Sequence, residues 1–260
     1  MSFHAGKPLA YCEDEIVSFI EALESRNRES SLSTLRSLLH LIRNLRGENV
    51  DHTKETARDD RSVECASQSM TNMEDRRISI WANYHAAFLS YVFGDFVRAA
   101  ELIKNARPLA SRMFPNVESS FVVMLDGLIK LTPGRHRSVY TARRCIRILK
   151  RETRKAPHQL LHCLYFLQAE LAVFLGSKER AIVKFQSAIA IASESHFRAD
   201  LGNALERFGD FYAHLGDEEA SIKYYHKAAD AFREWGATAK ESKMYSQHSA
   251  LLSDSTSWLI

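Results

Sequence analysis

The chain has 260 residues, 45% of them hydrophobic and 26% charged, with ten glycines and five prolines. That balance supplies ample apolar surface for a core and too few helix breakers for anything but a mostly helical protein. The net charge of +3 hides an asymmetry: residues 135–155 hold nine Lys or Arg against one acid, a local +8, so the remainder sums to −5. No stretch approaches roughly 18 consecutive apolar residues, so no transmembrane segment is expected. The start, Met1 to Lys7, lacks the apolar core of a signal peptide. Cys12, Cys65, Cys145 and Cys163 are scattered without a CxxC pair, a pattern of free thiols in a reducing compartment. A cytoplasmic location is the expectation.

Residues 1–47 read as an N-terminal helical pair. Ile16, Phe19, Ile20 and Leu23 recur at helical spacing, as do Leu35, Leu38, Leu39, Ile42 and Leu45. Ser31 or Ser33 suits the start of the second helix and Gly47 its stop. Residues 48–77 are crowded with Asp, Glu, Ser, Thr and Arg and show no apolar period, which predicts a flexible polar linker or insertion. From Ile78 the helical pattern is nearly continuous. Helices are expected over 78–93 and 95–112, over 116–131 and 137–154, over 157–175 and 177–194, and over 197–215 and 217–235. A last, polar helix over 237–252 reads as a cap, and 253–260 as a tail.

Within residues 78–252 the text repeats. Gly94, Gly134, Gly176 and Gly216 are separated by 40, 42 and 40 residues. After three of them, small or apolar residues follow at 5, 9 and 12 positions: Ala99, Ile103 and Ala106; Ala181, Phe185 and Ala188; Ser221, Tyr225 and Ala228. Each glycine sits where a helix stops in a left-handed residue, and Asp95, Ser177 and Asp217 follow as N-caps. Small residues let paired helices approach, and Phe185, Tyr212 and Tyr225 fill the grooves between pairs. A period near 40 marks a helical-hairpin array, an all-α solenoid of about four hairpins plus a capping helix, built to hold other polypeptides.

The fourth hairpin, with Gly209, Tyr212, Gly216, Tyr225 and Ala228, resembles the tetratricopeptide repeat; Ser221 stands where alanine is usual. The third keeps Ala181, Phe185 and Ala188 but has Ala169 and Ala172 for the glycine and tyrosine. The strings Ala156-Pro157-His158, Ala169-Glu170-Leu171, Ala181-Ile182, Ala188-Ile189-Ala190, Ala204-Leu205-Glu206, Phe211-Tyr212 and Arg233-Glu234-Trp235-Gly236-Ala237, then Lys240, resemble the helical-repeat region of very large signalling proteins. In that family the region lies between a kinase-like domain with an AAA-type ATPase and GAF and histidine-kinase output domains. The resemblance implies a tetratricopeptide-like module of signal transduction. The sequence holds no GxxxxGK[ST] loop, kinase motif or phospho-acceptor histidine motif, so it implies the repeat portion alone.

Three constellations compete as sites. The basic helix over 137–154 places Arg143, Arg147, Lys150, Arg151 and Arg154 along one face. That stripe reads as a solvated helix face, as a contact for an acidic protein, or as a binder of nucleic acid or anionic membrane; no interleaved aromatics favour nucleic acid. Glu170 and Glu206 occupy similar places in successive hairpins and either line a concave groove for a partner or pair with neighbouring cations. His158 and His162 share a helix face beside Cys163, but a third ligand and an HExxH glutamate are lacking, so no metal and no cofactor are expected. Tyr212, Tyr224, Tyr225, Phe232 and Trp235 read as repeat core. No spacing joins a nucleophile to a base, so the chain reads as a non-catalytic scaffold that holds a protein or peptide partner.

Overall fold

The computed structural model describes residues 3–24, 29–48, 73–113, 117–134, 137–249 and 251. Among them are eleven helices: α1 (Leu9–Glu24), α2 (Glu29–Arg46), α3 (Met73–Val92), α4 (Phe96–Met113), α5 (Val117–Ile129), α6 (Val139–Thr153), α7 (Pro157–Phe174), α8 (Lys178–Glu194), α9 (Arg198–Leu215), α10 (Glu218–Trp235) and α11 (Thr238–Gln247). Packing is sequential: each helix lies on the next, most extensively within α3–α4, α7–α8 and α9–α10. Residues 49–72 of the expected linker over 48–77 and the tail over 253–260 lie outside the described residues. The first helix of the array begins at Met73, inside the stretch read as linker.

Local chemistry explains the turns. Gly94, Gly176 and Gly216 have φ of 79°, 73° and 75°, the left-handed conformation that closes a helix without a Cβ clash. Asp95 and Asp217 accept from the backbone N–H of Arg98 (3.1 Å) and Ala220 (3.0 Å), satisfying orphan donors of the following helix. Ser177 makes no such bond. The second hairpin departs from the pattern: Gly134 has φ 138°, and Ser138 caps α6 by accepting from Thr141 N–H at 3.2 Å. Ser31 and Ser33 lie within α2, which already starts at Glu29, so neither is its cap.

Side-chain size sets the spacing of the helices. A Cβ on Gly209 would stand 2.7 Å from the ring of Tyr225, so α9 and α10 meet on a bare backbone. The Ser221 hydroxyl donates to the Gly209 carbonyl at 3.1 Å across the same contact. Ala181, Phe185 and Ala188 of α8 are fully buried, and Phe185 stacks on Phe208 of α9 at 4.8 Å. The helix α7 is buried on nearly every side, by α5, α6, α8 and α9, and forms the centre of the molecule.

Helices from the first and last parts of the described chain meet. Helix α11 packs on α2 as well as on α10. Thr238 donates to the Arg46 carbonyl at 2.6 Å, and Lys243 donates to the Phe93 carbonyl. Lys240, read as part of a polar cap, is 3% exposed and bridges to Glu206 at 2.6 Å. α11 thus buries Lys240 and Met244 against the array while Thr238, Ser242, Ser246 and Gln247 stay exposed. Phe3 and Gly6, before α1, are buried as well: Phe3 packs on Phe88 and Trp235, His4 stacks on Phe121 at 4.4 Å, and the Gly6 carbonyl accepts from Arg198 at 2.6 Å. Glu13 ties α1 to α2 by accepting from Arg43 at 2.7 Å and from Arg46.

Candidate functional site

The basic helix forms because Ser138 caps it and because Ala142, Cys145, Ile146 and Leu149 recur on one face, where they are buried. The opposite face is left to cations. The structure brings Arg143, Arg147 and Lys150 of α6 into the wall of a groove whose other side is α7 and whose end is the start of α8. Ile146, Leu171, Ala172 and Leu175 form an apolar floor, Gln168 and Ser177 add polar edges, and Tyr140 stands at the mouth, 74% exposed. The cavity measures about 460 Å³. Arg180, from the first turn of α8, points a fourth cation into it. Among the described residues none of these four cations has an acidic partner. Arg151 and Arg154 do not join the groove: Arg151 pairs with Glu152 at 2.8 Å, and Arg154 ends the helix. Glu152 serves Lys155 as well at 2.8 Å, and these two hydrogen bonds hold its carboxyl below the usual range.

Arg180 has no signature in the sequence beyond its place after Ser177. The signal that finds it is the hairpin repeat itself, since the turn between α7 and α8 lies beside the preceding helix.

Glu170 and Glu206 lie in a different part of the molecule. Glu170 is 3% exposed and takes both ends of Arg207, at 2.9 and 3.1 Å. Arg207 also donates to Asp210 at 2.8 Å, and Asp210 accepts from the Tyr225 hydroxyl at 2.8 Å. Burial opposes the charge on Arg207, but Glu170 and Asp210 outweigh it and push its pKa up. Glu206 holds Lys240. Both glutamates are thus occupied by cations from the second helix further along the chain.

No family model and no curated protein matches this chain. Among the described residues, no helix is long and apolar enough to cross a membrane.

A third constellation lies in the interior. His162 is 2% exposed and its Nε2 stands 2.9 Å from Asp200 Oδ2, at the start of α9, and 3.2 Å from Cys163 Sγ. Its ring stacks on Phe197 at 4.2 Å. Burial and the Asp200 charge push the Cys163 thiol pKa far up. His158 is exposed and takes no part. Nearby His4 is held neutral: burial lowers its pKa to about 4. Asp200 carries no local signal that joins it to this pair, because 37 residues separate it from Cys163.

Proposed function

We propose that this protein is a non-catalytic interaction module, a tetratricopeptide-like hairpin array of signal transduction, and that it docks an acidic amphipathic helix of a partner protein in the α6–α7–α8 groove. The observation that carries the reading is the groove's composition: Arg143, Arg147, Lys150 and Arg180 around an apolar floor, with no acid among the lining residues. Positions 143, 147 and 150 run along one helix face for about 10 Å, close to two turns of a partner helix. An apolar stripe at i, i+3, i+4 and i+7 would fill the floor, and flanking Glu or Asp would meet the guanidinium groups. Affinity comes from the buried apolar anchors, and orientation and on-rate from the charges.

We place the docking face in this groove rather than in a concave groove lined by Glu170 and Glu206. Glu170 and Glu206 already hold cations, and the chain's own Phe3 and His4 pack against Phe88, Phe121 and Trp235. The recessed apolar floor favours a peptide over the alternative ligands, nucleic acid and anionic membrane, which need cations but no floor.

The test is fluorescence anisotropy with a labelled amphipathic peptide bearing Leu on one face and Glu on the other. A single-stranded DNA oligonucleotide and phosphatidylserine vesicles serve as rivals. Arg143→Glu with Arg147→Glu should weaken the peptide by about tenfold or more, and Leu175→Ser should weaken it several-fold. DNA or vesicle binding that is tighter than the peptide's, sensitive to the charge reversal and indifferent to Leu175→Ser would transfer the function to the rival ligand.

A further inference from the structure

We propose that His162, Cys163 and Asp200 form a buried site for one divalent cation of the zinc class. The donors are His162 Nε2, Cys163 Sγ and a carboxylate oxygen of Asp200, and all lie within 4.8 Å of one another. Two come from the middle of α7 and one from the first turn of α9, so the site joins helices of consecutive hairpins. Imidazole, thiolate and carboxylate together suit a borderline-soft ion such as Zn²⁺.

The second observation is a hydrogen-bonding conflict at one atom. His162 Nε2 faces both Asp200 (2.9 Å) and the Cys163 sulfur (3.2 Å), while Nδ1 is buried without a partner. A neutral imidazole carries one N–H. With that proton on Nε2, Asp200 is served but Cys163 meets no lone pair. With it on Nδ1, Cys163 can donate to Nε2, but the Asp200 carboxylate then faces that lone pair. An imidazolium serves Asp200 and leaves Cys163 without an acceptor. With the proton on Nε2, the Asp200 carboxylate and the weakly accepting Cys163 sulfur share a single N–H, whereas a cation between the three atoms attracts all of them.

Ligands 2.0–2.3 Å from a tetrahedral ion lie about 3.3–3.6 Å apart, so the observed 2.9 and 3.2 Å separations open by less than about half an ångström, while Cys163 Sγ and the Asp200 carboxylate, within 4.8 Å of each other, draw in around the ion. Stacking on Phe197 holds the imidazole plane. A small cavity bounded by His4, Tyr84 and Asp200 adjoins the cluster with room for about one water, a source of the fourth ligand. On binding, the Cys163 thiol proton leaves to solvent and a sulfur–metal bond takes its place. The ion fixes the entry of α9 against α7.

The test uses the full chain, stripped with chelator and titrated anaerobically with Co²⁺, then competed with Zn²⁺. The expected result is one equivalent bound, with a thiolate-to-cobalt charge-transfer band and the visible bands of a tetrahedral ion, both erased by Zn²⁺. Cys163→Ser should abolish the charge-transfer band, and Asp200→Asn should weaken binding by about tenfold or more. Cys12→Ser and Cys145→Ser, at buried cysteines elsewhere, should leave the spectrum unchanged. Absence of a stoichiometric band in the wild-type chain overturns the proposal, whatever the variants do. So does a band that survives Cys163→Ser or vanishes with Cys145→Ser. If Cys163→Ser fails to fold, Zn²⁺ content by native mass spectrometry of wild type against Asp200→Asn decides: one ion retained in the first and lost in the second is required.

Discussion

Replacing Arg207 by methionine leaves Glu170 facing the interior without its cation. Glu170 is 3% exposed and its carboxylate receives two bonds from Arg207, which is itself only partly exposed, with a side-chain exposure of 23%. A surface ion pair is worth about 0–1 kcal/mol, but breaking a buried one strands a desolvated charge at about 3–5 kcal/mol. Glu170 belongs to the second class, so Arg207→Met should cost about 3–5 kcal/mol. At about 2–4 °C per kcal/mol for a chain of this size, the midpoint of thermal unfolding falls by about 6–20 °C. The double variant Glu170→Met with Arg207→Met removes both charges and fills similar volume, so it should recover most of that loss. Asp210 keeps its bond from Tyr225 in either variant. Circular dichroism melts of the wild type, both single variants and the double variant form a mutant cycle. A loss below about 1 kcal/mol for Arg207→Met, or a double variant no better than the single, would refute the assignment of Glu170 to the interior.

Two further outcomes follow from the packing. Gly209→Ala should cost about 1–3 kcal/mol, because its Cβ meets the Tyr225 ring at 2.7 Å. Gly176→Ala, with open space around it but φ of 73°, should cost only about 1–2 kcal/mol; denaturant midpoints distinguish the two. His85 is buried, and that burial lowers its pKa to about 3 from 6.5, with His4 adding repulsion. It faces Ser37, whose hydroxyl lies 2.8 Å from Nδ1, and the rings of Trp81 and Tyr84. The unfolded chain binds this proton first, so stability is full above pH 6.5 and falls as pH drops towards 3. The slope is about 1.4 kcal/mol per pH unit. His85→Gln should flatten that part of the profile in urea titrations at stepped pH.

The sequence by itself determined where the helices run. A helix is closed by bonds four residues apart and ended by the residue that follows, so its signals are local. The glycines at 94, 176 and 216 and the caps at Asp95 and Asp217 mark turns that the structure contains, and most predicted boundaries agree within a residue or two. Ser31 and Ser33 lie inside α2 and not at its start, because a capping residue type looks the same in either place. Burial within the repeat was legible as well, through Ala181, Phe185, Ala188, Tyr225 and Ala228.

Only the tertiary structure decided which side chains meet. Glu170 and Arg207 are 37 residues apart and Glu206 and Lys240 are 34 apart. Whether a helix-surface glutamate faces solvent or a neighbour's cation depends on how two hairpins are rotated on each other, which no local pattern encodes. The same rotation brings Arg180 to Arg143, Arg147 and Lys150 while leaving Arg151 and Arg154 aside. It also carries Asp200 to His162, and it seats Phe3 and α11 against helices far away in the chain. Helix formation is a property of neighbours along the chain; sites here are made between hairpins, where the phase of packing selects the partners.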